Sequence, residues 1–185
     1  MKRTIVRRLR FRSRETGVAL FISLVLLLVL TIIGVSAVQT TSLEERMARN
    51  SHDNVLAFQA AEAALREAEN FLRNNINSTA TFTAAGTNGL WTAAQYNQAE
   101  RWTQASIWTG ANSVQIATAM TGVNQQPRYI IEWVATVQRA ENPFLQGSSY
   151  ATIFDRIEIF RITARGVGGS PNARVVLQST FGLIF

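Results

Sequence analysis

The chain has 185 residues, with 18 Lys and Arg against 12 Asp and Glu and no cysteine. That length holds one modest soluble domain beside a membrane segment, and without disulfides the domain must be held by core packing alone. The net charge of +6 does not describe a nucleic-acid surface: residues 1–16 carry seven basic residues and one acidic, and from Gly17 onward eleven basic residues face eleven acidic ones.

Residues 1–17 form a basic leader closing on R-S-R-E-T-G. Val18 to Val38 follows, a run of 21 uncharged residues interrupted only by Ser23, Thr31, Gly34 and Ser36. As a helix it spans roughly 31 Å, the thickness of a bilayer's hydrocarbon core. With basic residues on one flank only, residues 1–16 are expected in the cytoplasm and everything after Val38 across the membrane. Val35-Ser36-Ala37 offers a loose site for signal-peptide cleavage. A cut there would discard half of one continuous element, because residues 39–74 contain no Gly or Pro and are rich in Ala, Glu, Leu and Arg. One helix is therefore expected from Val18 to about Asn74, with cleavage after Gly17 keeping all of it.

The amphipathic half, residues 39–74, carries the stripe Leu43, Met47, Asn54, Phe58, Ala61, Leu65, Ala68 and Leu72, recurring mostly every three or four positions. Glu45 with Arg49, Glu62 with Arg66 and Glu69 with Arg73 are acid-before-base pairs four residues apart on its exposed side. Residues 75–126 then shift to Asn, Thr, Ala, Gly and Gln, with Trp91, Trp102 and Trp108 as anchors that pin an irregular connection. Ala93 to Trp108 has room for a short helix, and Gly86, Gly89, Gly110 and Gly122 mark turns.

Residues 127–185 read as strands. Tyr129, Ile131, Trp133, Ala135 and Val137 alternate with Glu132, Thr136 and Gln138, the pattern of a half-buried strand. After breaks at Asn142-Pro143 and Gly147-Ser148-Ser149, Ile153 to Arg165 gives a second strand; Gly166 to Asn172 gives a turn; and Val175 to Phe185 gives a third strand. Short connections make this an antiparallel meander, and the stripe over residues 54–72 is the available cover for its apolar face. The class expected is α+β.

Nothing here points to catalysis, a cofactor or a metal. His52 is the single histidine, and its neighbour Asp53 projects elsewhere from a helix, as Glu44 and Glu45 diverge from each other. No phosphate loop, zinc spacing or nucleophile elbow occurs. A basic patch is conceivable around Arg128, Arg139, Arg156, Arg161 and Arg165, although net neutrality after the leader argues against strong nucleic-acid binding.

The run G-V-A-L-F-I-S-L-V-L-L-L-V-L-T-I-I-G-V-S-A-V-Q-T-T-S-L-E-E-R-M-A-R-N, with A-F-Q-A-A-E-A-A-L-R-E-A-E after it, resembles the N-terminal region of the PilX group of type IV minor pilins. The later F-R-I-T-A-R-G-V-G-G-S-P-N-A-R-V-V-L-Q-S-T-F is similar to the end of the same group. The resemblance implies a pilin-like fold, a long helix packed on a small C-terminal antiparallel sheet. It implies a prepilin peptidase cutting between Gly17 and Val18 and methylation of the new amine of Val18. The partners it implies are other minor pilins, the major pilin, the inner membrane and a tip adhesin of the PilY type. It places the chain in the bacterial inner membrane with its C-terminus periplasmic, and then in the extracellular pilus. Major pilins carry glutamate at the fifth residue of the mature chain, where this sequence has Ile22. Pseudopilin K of type II secretion shares that lack and is understood to sit at a tip, so the resemblance implies a tip or initiating position. A K-type pseudopilin and a secreted or signal-anchored periplasmic domain are the alternatives.

Overall fold

The computed structural model describes residues 16–138 and 156–184, and the chain divides after Ala48 into two compact units. Helix α1, Thr16–Asn75, runs through that boundary. In the first unit every residue from Gly17 to Ala48 is exposed, Leu20 at 72% and Phe21 at 68% among them. Its apolar window reaches a mean hydropathy of 3.1, so the helix is long and apolar enough to cross a membrane. The polar interruptions fit that solvent. Ser23 Oγ donates to Leu20 O at 2.8 Å and Thr31 Oγ1 to Leu28 O at 2.7 Å. Both hydroxyls are satisfied inside their own helix, as a medium without water requires.

The second unit is one sheet with the 49–75 portion of α1 on one face. Its strands are β1 (Leu90–Thr92), β2 (Val114–Gln115), β3 (Arg128–Gln138), β4 (Arg156–Val167) and β5 (Arg174–Leu183). The order is β1-β3-β4-β5, with β2 also paired to β3. β3, β4 and β5 form the expected antiparallel meander. The sheet as a whole is mixed rather than antiparallel, because β1 runs parallel to β3 in the register Leu90↔Ile131 to Thr92↔Trp133. The second strand begins among the described residues at Arg156; Ile153 and the breaks at Asn142-Pro143 and Gly147-Ser148-Ser149 lie outside them. Gly166 and Val167 belong to β4, so the following turn occupies residues 168–173.

The helix face that meets the sheet differs from the expected stripe. Ala57, Ala60, Ala61, Ala64, Ala68 and Leu72 are fully buried, whereas Phe58 is 47% exposed and Asn54 faces solvent. Small size explains the choice. Alanine keeps the helix strong and lets its backbone come close to β4, where a Cβ on Gly166 would strike Ala57 O and lie 2.5 Å from Ala61 N. Toward the helix end the gap is filled by Leu72 and Ile76, which join Phe82, Tyr129, Ile131, Phe160 and Ile162 in the main core. Burying one such side chain contributes about 1.5–3 kcal/mol.

Two departures from simple alternation occur in β3. The pairing slips between Trp133 and Ala135, so Val134 is a bulge residue. A one-residue slip turns the following side chains to the opposite face, which sends Thr136 to the side of Trp133 and leaves Ala135 and Val137 exposed. Trp133 Nε1 and Thr136 Oγ1 accordingly both donate to Glu158 Oε2, at 2.8 and 2.7 Å. The second departure is Glu132, read as a solvent-facing residue and found fully buried.

The connection between helix and meander causes that burial. It folds over the outer face of the sheet, where Trp91, Ile107 and Ile130 form a second small core. Trp91 Nε1 donates to Asn112 O and Trp108 Nε1 to Trp102 O, both at 2.9 Å, and the rings of Trp91 and Trp108 are buried. The stretch from Ala93 to Trp108 holds two short 3₁₀ turns, Arg101–Thr103 and Ala105–Trp108, in place of one helix. Gly86, Gly89, Gly110 and Gly122 all take left-handed backbone conformations at turns.

Candidate functional site

The residues singled out at the N-terminal end lie on α1. Gly17 and Val18 fall in its first turn, Val18 60% exposed and Gly17 with open space around its Cα. Ile22 follows one turn later and is 53% exposed. Between Gly17 and Leu43 the helix carries no acidic residue, so this portion has no carboxylate of its own to offer a charged neighbour.

In the second unit, His52 is exposed. No group of three or more His, Cys, Asp or Glu able to hold a metal occurs among the described residues. Its neighbour Asp53 has a role that the sequence reading missed. The Asp53 carboxylate accepts from Gly169 N, from Ser170 N at 3.2 Å and from Ser170 Oγ, tying the helix to the turn between β4 and β5. A G-G-S-P turn with free N–H groups opposite a helical aspartate is the signal that could have found it.

The Ser170 hydroxyl, followed by the backbone N–H groups of Ser170 and Gly169 and the charge of His52, holds the Asp53 carboxyl below its ordinary value of 3.8, against the opposing effect of burial. A depressed folded pKa contributes stability that is present above pH 3.8 and lost as pH falls through the lowered value. The thermal midpoint of the native chain should therefore exceed that of D53N at neutral pH. The gap should close on acidification below pH 3.8. A constant gap in unfolding curves across that window would dissociate Asp53 from the pH dependence.

On the outer face, Glu132 Oε1 lies 3.3 Å from Arg101 Nε and Oε2 lies 3.0 Å from Arg161 Nε. Arg161 Nη1 also reaches Glu100 Oε2 at 3.3 Å, closing a chain of two acids and two bases. Arg101 stacks over Trp91 at 4.5 Å and donates to Thr92 O at 3.0 Å. This network fastens the connection to β3 and β4. An Ile-Ile-Glu sequence, with Ile130 on the supposedly polar face, is the clue that this face is covered.

The arginines of the expected basic patch do not all lie together. Arg139 lies outside the described residues, Arg156 pairs in register with Gln138 at the other end of the strands, and Arg161 is neutralised by the network. Arg128 and Arg165 come together directly opposite each other, with Arg174 close enough to lower the pKa of Arg165 electrostatically, after burial and ahead of Arg128. Tyr129, next along β3, has its phenol pushed up to about 12 by burial and by the Glu67 charge, so it stays protonated.

A PilX N-terminal family profile matches residues 16–66, and the profile for the C-terminal part of the type IV pilus assembly protein PilX matches residues 77–183. Neither the curated proteins nor the solved structures yield a match. The two family regions take in the apolar helix and the whole described sheet. The chain belongs to the PilX family of type IV pilus assembly proteins, structural components of the pilus in the role of a minor pilin.

Proposed function

We propose that this chain helps initiate and stabilise type IV pilus assembly from a position at or near the fibre tip, and that it performs no chemistry itself. The observation that carries the reading is an exposed apolar helix with Ile22, a residue that cannot neutralise a neighbour's amine, in its second turn. The chain spans the inner membrane once with its sheet in the periplasm. A prepilin peptidase cuts between Gly17 and Val18, and the amine of Val18 is methylated. The helix is then drawn from lipid to pack against the helices of other minor pilins and the major pilin, and an adhesin of the PilY type docks at the same end.

A charged amine inside an apolar fibre is expensive, by several kcal/mol when unpaired, so a subunit without a carboxylate is best tolerated where no earlier subunit needs one. Immunogold labelling of sheared fibres should mark ends. I22E, which restores a partner, should move a measurable share of the label onto the shaft. Even labelling of the native chain along the shaft, at major-pilin abundance, would rule out the tip position.

A further inference from the structure

Arg128 on β3 stands directly opposite Arg165 on β4, and Arg165 stands opposite Val176 on β5, which puts Arg174 on its diagonal. Directly opposed side chains on antiparallel strands have Cβ atoms about 5 Å apart and diagonal ones about 7–8 Å, and like charges in those positions repel. None of the three has a carboxylate partner among the described residues. Arg128 donates to Ser113 Oγ at 2.7 Å and Ser113 O at 2.6 Å, Arg165 to Gln125 Oε1 at 2.9 Å, and Arg174 to Pro171 O at 2.7 Å. All three thus meet neutral acceptors. Arg165 is further held in place by the ring of Trp108, 5.0 Å beneath its guanidinium.

Elsewhere on the same face the protein does neutralise its arginines, as Glu132 and Glu100 do for Arg161. Three guanidiniums without a carboxylate partner, centred on Arg165 four residues further along β4 than Arg161, form a compact cationic spot whose repulsion an incoming anion relieves. Further along the same face, at Arg161, Glu100 presents a carboxylate that is half exposed at 50%. A negative charge on the same face disfavours a long polyanion, which gains affinity by engaging many phosphates in a row. Carboxylates on alternate residues of an extended chain lie about 7 Å apart, the diagonal spacing of this cluster.

We infer that Arg128, Arg165 and Arg174 form a docking site for an acidic segment of a partner polypeptide, one presenting carboxylates on alternate residues. The site lies wholly in the second unit and is independent of where in the fibre the chain resides.

Full-length chain in detergent micelles, titrated against a labelled peptide of alternating Glu and Ser, tests this by fluorescence anisotropy. A peptide with Gln for Glu and a labelled oligonucleotide of similar charge complete the set. The Glu peptide should bind and the Gln peptide should not, and R165Q and R174Q should each weaken binding about tenfold, the effect of one charge-assisted hydrogen bond. R66Q, on the exposed helix surface, should leave binding unchanged. If R165Q loses the near-ultraviolet signal of the tryptophans, R174Q decides alone, since Arg174 is exposed. Absence of binding, binding insensitive to both substitutions (as attraction to the basic leader would be), or tighter binding of the oligonucleotide with the same sensitivity would each overturn the proposal.

Discussion

Replacing Glu132 by alanine should destabilise the second unit by about 3 kcal/mol, the lower end of the range for removing one partner of a buried ion pair. The lower end applies because Arg101 and Arg161 keep 13% and 27% of their side chains exposed and have some access to water once released. The loss comes less from the attraction removed than from the Arg101 guanidinium left against Trp91 without a counter-charge, while Arg161 keeps Glu100 alone. E132Q, which keeps the shape and drops the charge, should cost less than E132A. Replacing Glu132, Arg101 and Arg161 together by apolar residues of similar size should come closer to neutral than either. Tryptophan fluorescence during thermal or urea unfolding reads all three, because Trp91 and Trp108 are buried residues of the connection this network fastens. An E132A midpoint equal to the native one would mean that the connection is held by its apolar contacts alone.

The second large effect belongs to Gly166. A side chain there meets helix backbone, Ala57 O and Ala61 N, before it meets the flexible or trimmable Ala60 Cβ at 3.0 Å. G166V should therefore cost about 3 kcal/mol, the top of the usual overpacking range, because the helix must move off β4 as a body. For a unit of this size that lowers the unfolding midpoint by about 6–12 °C. A60G should restore little of it, since trimming Ala60 does not retract the backbone atoms. A full rescue by A60G would show that side-chain crowding, not backbone approach, sets the distance between helix and strand.

These two positions mark what the sequence could and could not disclose. The helix was legible because its cues are local: a charge-free apolar run, then Ala, Glu and Arg with no breaker until Asn74-Asn75. The meander strands were legible for the same reason, since Ile, Phe and Val at period two announce themselves over a few residues. The face of the helix was not. Phe58 is the larger apolar residue, yet Ala57 and Ala60 face the sheet because Gly166, more than a hundred residues later, permits contact between backbones. β1 was invisible for a related reason. Three residues have no measurable period, and their pairing partner lies some forty positions along the chain. Once that strand and the turns after it cover the outer face, Glu132 passes from solvent to interior. A period-two reading of β3 assumes one wet face and cannot foresee the change. The Val134 bulge likewise has no composition of its own and is known only through its partner strand.

The site was legible to a different degree. Gly17, Val18 and Ile22 stand out because a charge boundary and a missing carboxylate are sequence features in themselves. Asp53 and the cluster of Arg128, Arg165 and Arg174 become visible only when a turn or a strand register brings distant residues side by side.

Assembly into a pilus requires that the apolar helix remain part of the working molecule. Intact-mass analysis of the chain recovered from sheared pili measures this directly. A mature protein beginning at Val18 and carrying one methyl group is the predicted result. A product beginning at Val38, or a chain found free in the medium and absent from the pili, would contradict it.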